Sequence, residues 1–153
     1  MNRLFVVVNV LGKMVLIFGL TMLIPLGLAL WNNDGARFAF EESILITMGC
    51  GLLMWLVTRR YKRELQTRDG FLLVVLVWAA LPAFAMLPLL IYLPDLSLSM
   101  AYFEATSGLT ATGGTVLSGL DALPPSINLW RGEMVWLGGM GLIVLAVAIL
   151  PLL

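Results

Sequence analysis

The stretch from Tyr102 to Val116 reads Tyr-Phe-Glu-Ala-Thr-Ser-Gly-Leu-Thr-Ala-Thr-Gly-Gly-Thr-Val and lies between two strongly apolar segments. It is too polar to face lipid, where each unpaired backbone group costs several kcal/mol. Two solutions remain. It forms a flexible outer loop, or it dips back into the membrane as a short helix followed by an ion-coordinating return. Its position between two apolar spans favours the second.

The membrane setting follows from composition: 61% of residues are hydrophobic and 12% charged, against roughly 45–50% and 25% in soluble domains. Net charge is zero, so no overall field points to nucleic acid. Without histidine, and with Cys50 as its single cysteine, the chain holds no Ser-His-Asp triad, Cys-His pair or internal disulfide. No paired intramembrane carboxylates and no cofactor motif are present, so an enzyme is not expected. Cys50 reads as a small apolar residue.

A spanning helix needs about 20 mainly apolar residues. Leu4 to Leu30 meets this, is too long for a signal peptide, and ends on the interfacial aromatic Trp31. Pro25 kinks its last turns. Lys13 snorkels toward the N-terminal side or faces a protein neighbour. Asn32 to Gly35 forms a turn, and Phe38 to Thr58 is the second span, with Glu41 and Glu42 in its solvated first turns. Arg59 to Gly70 is a basic loop. Phe71 to Leu93 is the third span, its Pro82 and Pro88 tolerable where neighbouring helices shield the freed carbonyls. Leu93 to Ser97 breaks that helix. The last apolar segment runs from Met134 to Leu153, and its Gly138, Gly139 and Gly141 allow close approach of another backbone.

Six basic residues (Arg3, Arg59, Arg60, Lys62, Arg63, Arg68) fall on the side of the N-terminus and two (Arg37, Arg131) on the other. The side richer in Lys and Arg is cytoplasmic, so the N-terminus is expected inside and the Tyr102–Val116 stretch opens outside. The expected fold is all-α: a polytopic membrane protein with two leading transmembrane helices and a basic loop over 1–70. One helix–pore loop–helix unit follows over 71–153.

Within the pore loop, Met100 to Leu109 makes two or three helical turns, capped by Ser97 or Ser99 and ending near Gly108. Its C-terminal carbonyls carry about −0.5 charge, which suits a cation. Thr110-Ala111-Thr112-Gly113-Gly114 then runs outward in extended form. Potassium filters are rings of backbone carbonyls that replace the ion's water shell. Turning those carbonyls one way needs unusual dihedrals, which Gly113 or Gly114 reaches without a Cβ clash. Glu104 accepts hydrogen bonds from the filter backbone or contacts the ion. Val116 to Glu133 is read as a long outer loop, with Arg131 repelling cations or pairing with Asp121 or Glu133.

Phe103 to Gly113, read with Trp130-Arg131 and with Trp136 to Val144 (Trp-Leu-Gly-Gly-Met-Gly-Leu-Ile-Val), resembles the first pore unit of the bacterial Trk-type potassium uptake family, in the Trk/Ktr/HKT superfamily. The motifs stand in the right order and spacing, and the likeness covers essentially the whole chain. It implies potassium uptake across the bacterial inner membrane, through four such units around one pore. Potassium would be coordinated by the carbonyls of Thr110, Ala111, Thr112 and Gly113, supported by Glu104, Gly114 and Thr115. No cofactor is implied, potassium being the transported ion. The resemblance further implies a lipid-embedded homodimer gated by cytosolic nucleotide-binding regulatory subunits. Many relatives carry Thr at Ala111 and Ala at Gly114, changes that spare carbonyl coordination but touch filter stiffness. One unit of four cannot enclose an ion, so the chain is expected to be an N-terminal fragment, inactive alone. The competing expectation is a small membrane scaffold or assembly subunit whose polar stretch is a free external loop.

Overall fold

The computed structural model describes residues 2–61 and 66–149. The expectations for Lys62, Arg63 and Glu64 in the basic loop, and for Pro151-Leu152-Leu153, lie outside the described residues. Among the described residues, seven α-helices and one short 3-10 turn make up the fold, and no β-sheet forms. They are α1 (Asn2–Thr21), α2 (Leu23–Asn32), α3 (Arg37–Thr58), α4 (Thr67–Ala85), α5 (Leu87–Tyr92), α6 (Leu98–Leu109) and α7 (Pro125–Ile149), with the turn at Leu120–Ala122. Among the described residues, three stretches are long and apolar enough to cross a membrane: Leu4–Asn32, Arg37–Thr58 and Arg68–Tyr92.

The expected breaks have identifiable causes. Pro25 cannot donate to the carbonyl four residues back, and the first span divides at Met22, between α1 and α2. Asn33 (φ 51°) ends α2 in the left-handed region, and Gly35 (φ 84°) completes the turn. Pro88 stands in the first turn of α5, after a break at Met86. Backbone carbonyls near these prolines find side-chain donors: the Tyr102 hydroxyl donates to the Ala79 carbonyl (3.0 Å) and the Trp130 indole N–H to that of Ala85 (2.9 Å). Neighbouring elements thus serve the backbone that proline disrupts, as expected of a bent membrane helix.

Two sequence expectations are corrected. Helix α4 begins at Thr67, inside the stretch read as basic loop, because Gln66 and Asp69 form a capping box. Helix α7 begins at Pro125, so Pro125 to Glu133 is not loop. Pro125 takes the first helical position, where a missing N–H costs nothing. The next amide, of Ser126, donates to the Asp34 carboxylate at 3.1 Å. A residue 92 positions away therefore caps α7.

Lipid tails are as apolar as leucine, so burial alone does not drive helices together; packing and hydrogen bonds do. Trp130 is the centre of the larger core. It is fully buried, tilted against Phe18 (5.7 Å between centroids) and edge-on to Phe40 (6.5 Å), joining α7 to α1 and α3. Met22, Leu89, Ile127 and Met134 close around it. At the opposite end Val7, Leu11 and Leu73 form a smaller cluster. There α1 and α3 cross at Gly12 and Gly51, so tightly that a Cβ on Gly12 would lie 3.0 Å from the Gly51 carbonyl oxygen. Lys13 is exposed on α1, and Glu41 pairs with Arg37 at the start of α3 (2.6 Å).

Candidate functional site

The polar stretch folds from its first turn. The Ser97 hydroxyl accepts from the Met100 amide at 3.3 Å and caps α6, which starts at Leu98 rather than Met100. Ser99 supports that cap through its hydroxyl, 3.1 Å from that of Ser97. Helix α6 ends at Leu109, one residue beyond the expected Gly108.

A helix end leaves carbonyls without donors, and the next residues supply them. The Ala111 amide donates to the Gly108 carbonyl and the Thr112 amide to that of Ser107, both at 2.9 Å. This is a Schellman closure, and it puts Ala111 in the left-handed region at φ 53°. A side-chain-bearing residue there costs roughly 1–2 kcal/mol. The return is accordingly not extended at its first two residues, as the sequence suggested, because Thr110 (φ −91°, ψ 3°) and Ala111 complete the helix cap.

The dihedrals then alternate. Positive φ occurs at Ala111 and again at Gly113 (79°), and not at Thr110, Thr112 or Gly114. Alternating φ signs are one way in which a backbone can turn neighbouring carbonyls toward a common side. Ala111 to Val116 is exposed throughout and Thr110 half-buried. The Thr110 hydroxyl donates back to the Thr106 carbonyl (2.8 Å) and lies 2.8 Å from the Thr112 hydroxyl.

The other side of the strand is fastened to α6 and α7. The Ser107 hydroxyl donates to the Gly114 carbonyl at 2.6 Å. Glu104, the seventh of twelve residues in α6, is buried (4% exposed). Its carboxylate accepts from the Thr115 hydroxyl (2.9 Å), the Val116 amide (3.0 Å) and the Arg131 guanidinium through Nε (3.0 Å) and Nη2 (2.8 Å). Arg131 thus pairs with Glu104 and not with Asp121 or Glu133. The reason is helical: once Pro125 to Glu133 is part of α7, Arg131 faces α6. The same Nη2 reaches Thr115 at 3.2 Å. Sequence reasoning missed Ser107 as a strand anchor; a serine one turn after Glu104 on the same short helix was the available signal.

Gly138, Gly139 and Gly141, the glycines of α7 expected to allow close backbone approach, separate. A methyl on Gly138 would overlap the Leu109 carbonyl, so this glycine admits the C-terminus of α6. A methyl placed on Gly139 or Gly141 would have nothing within 4 Å, so neither glycine is required by any contact within the described residues. Beneath α6 lies an apolar cavity of about 350 Å³, lined by Phe18, Leu81, Leu109, Leu137 and Gly138 among others. It has almost no polar wall and is unsuited to an ion. No cluster of three or more His, Cys, Asp or Glu residues that could hold a metal occurs among the described residues.

Comparison with known proteins adds an independent line. Residues 36–153 match the family described as TrkH, cation transport protein. The chain is 46% identical over 148 residues to the Trk system potassium uptake protein TrkH of Vibrio parahaemolyticus, covering 96% of this chain and 30% of that protein. It is 45% identical to the Escherichia coli K12 TrkH (96% and 31%) and 37% identical to the TrkG of the same strain (97% and 31%). The crystal structure of the potassium transporter TrkH from Vibrio parahaemolyticus superposes with a TM-score of 0.90 at 45% identity, over 97% of this chain and 32% of that one. The chain therefore spans about 30% of the length of the relatives it matches.

Proposed function

Because this chain belongs to the TrkH family of cation transport proteins, we propose that it supplies one wall of a potassium-conducting pore, with Thr110 to Gly113 as its share of the filter. The observation that carries the reading is the alternation of φ sign from Thr110 to Gly114 on a strand that is exposed on one side and anchored on the other. Carbonyls turned to one side can exchange with the hydration shell of a cation. Glu104 has its oxygens occupied by Thr115, Val116 and Arg131. It is assigned as filter support rather than as an ion ligand, together with Gly114 and Thr115. Gly138 lets α7 approach α6 closely enough for Arg131 to reach Glu104.

Uptake needs filter segments from further units around the same axis, supplied by the longer polypeptide this chain matches. The names of the relatives support potassium as the ion. The basic residues near Arg59 support a multi-pass placement in the bacterial inner membrane with the N-terminus on the cytoplasmic side. Homodimerisation and control by a cytosolic nucleotide-binding subunit are carried over from the family resemblance.

The test is rubidium uptake by the complete reading frame in a host lacking its own potassium uptake. Gly113→Val forces a β-branched residue into a positive-φ position and is expected to reduce uptake at least tenfold with membrane insertion unchanged. Normal uptake by that variant would remove Gly113 from the filter. Fast thiol labelling of Thr112→Cys, unaffected by potassium, would favour a free external loop and with it a scaffold role.

A further inference from the structure

Behind the strand, between α6 and α7, lies a cavity of about 50 Å³ walled by Glu104, Ser107, Gly113, Gly114, Arg131 and Met134, among others. We propose that it binds ordered water, which links Arg131 and Ser107 to the back of the filter strand and stiffens it. A water needs roughly 10–15 Å³ of such space and two to four polar partners, so the volume of about 50 Å³ is ample for at least one. The partners are in the walls. Ser107 uses its proton on the Gly114 carbonyl and so offers its lone pairs as acceptors. Guanidinium carries five N–H groups, and the contacts of Arg131 to Glu104 and Thr115 occupy only Nε and Nη2. Neither the Gly113 nor the Gly114 amide donates to a described residue.

Charge selects the guest. Glu104 and Arg131 neutralise one another across 2.8 Å, so the walls carry no net charge. A cation entering would meet the guanidinium, and an anion the carboxylate; a neutral dipole satisfies both. The site can also be filled by a single methyl. A methyl on Gly114 would sit 3.5 Å from the Ser107 hydroxyl and 3.5 Å from Phe103, ordinary contact distances, and Gly114 does not have positive φ. Gly114→Ala therefore fits the fold and occupies the space beside Ser107.

The consequence for conduction rests on the filter reading; the water itself does not. Crystals of the full-length protein in rubidium separate the two, because rubidium scatters anomalously and water does not. The expected result is a non-anomalous density peak within hydrogen-bond distance of Ser107 Oγ and the Arg131 guanidinium, lost in Gly114→Ala. Rubidium-over-sodium uptake should change at least twofold in that variant. A rubidium peak in the cavity, a wild-type cavity without density when other buried waters are visible, or a peak unmoved by Gly114→Ala would each overturn the proposal. Loss of the water with unchanged selectivity would overturn its stiffening role. Failure of the filter reading would register separately, as absence of rubidium along Thr110 to Gly113.

Discussion

The leading helices and the Tyr102–Val116 stretch, read from the sequence as a pore loop, are joined by opposite means. Helices α1 and α3 pack through Gly12 and Gly51, with apolar side chains around them and the long-range polar contacts of a single side chain, the Asn9 amide, which donates to the Thr58 hydroxyl at 3.1 Å and to the Trp55 carbonyl at 3.5 Å. The pore loop is held by a buried carboxylate with hydrogen bonds from a hydroxyl, a backbone amide and a guanidinium. Close packing suits two regular helices whose backbones satisfy themselves. A strand in irregular conformation has free amides and carbonyls, and inside a membrane protein only side chains or water can meet them. Polar chemistry is concentrated where regular structure stops.

The contrast is broken most severely by Glu104→Ala, which leaves the Arg131 guanidinium partly buried and unpaired. The expected cost is about 3–5 kcal/mol, read as a fall in the thermal unfolding midpoint of the full-length protein and a loss of rubidium uptake. Glu104→Gln keeps one acceptor oxygen for Thr115 and Val116 but loses the charge and the second acceptor, and should fall between Ala and wild type. Gly138→Ala comes next. It drives a methyl into the Leu109 carbonyl and should cost about 1–3 kcal/mol as the helices shift apart, with uptake reduced more than the equivalent change at Gly139.

The Asp34 cap bridges the two regions. Burial raises its carboxyl pKa, but hydrogen bonds from Ser126 and Ala36 outweigh that and hold it below the ordinary aspartate value. Its stabilisation is therefore complete above about pH 4 and is lost as pH falls through the depressed folded-state value. Asp34→Ala should cost about 1 kcal/mol at neutral pH and flatten the acid end of the stability profile. A variant with the wild-type acid dependence would show that the cap contributes nothing. The smallest effect belongs to Asn9→Leu. Polar contacts between membrane helices average about 0.6 kcal/mol, and a shift well beyond that would place α1 and α3 in the same polar class as the pore loop.

Much of this was readable in the residues. Ser97 before a short amphipathic run, and glycines after it, located α6 and its end. The prolines located the bends. What escaped reading depends on residues distant in sequence. Pro124-Pro125 looks like loop until Asp34 is known to cap the following amide. The sequence leaves Arg131 repelling cations or pairing with Asp121 or Glu133, because the helix that carries it is not apparent there and Glu104 lies 27 positions away. The alternation at Ala111 was hidden for a different reason: nothing in an alanine announces positive φ, and only the hydrogen bonds closing α6 impose it.

Trp130 and Arg131 are consecutive on α7 and so project about 100° apart. One is locked among Phe18, Phe40 and the Ala85 carbonyl, the other grips Glu104 and Thr115. Helix α7 is thereby keyed like a shaft at two angles. Any twist about its axis that frees the guanidinium must also turn the indole out of its socket. The segment that follows α6 and the bend of the preceding span consequently share one mechanical setting.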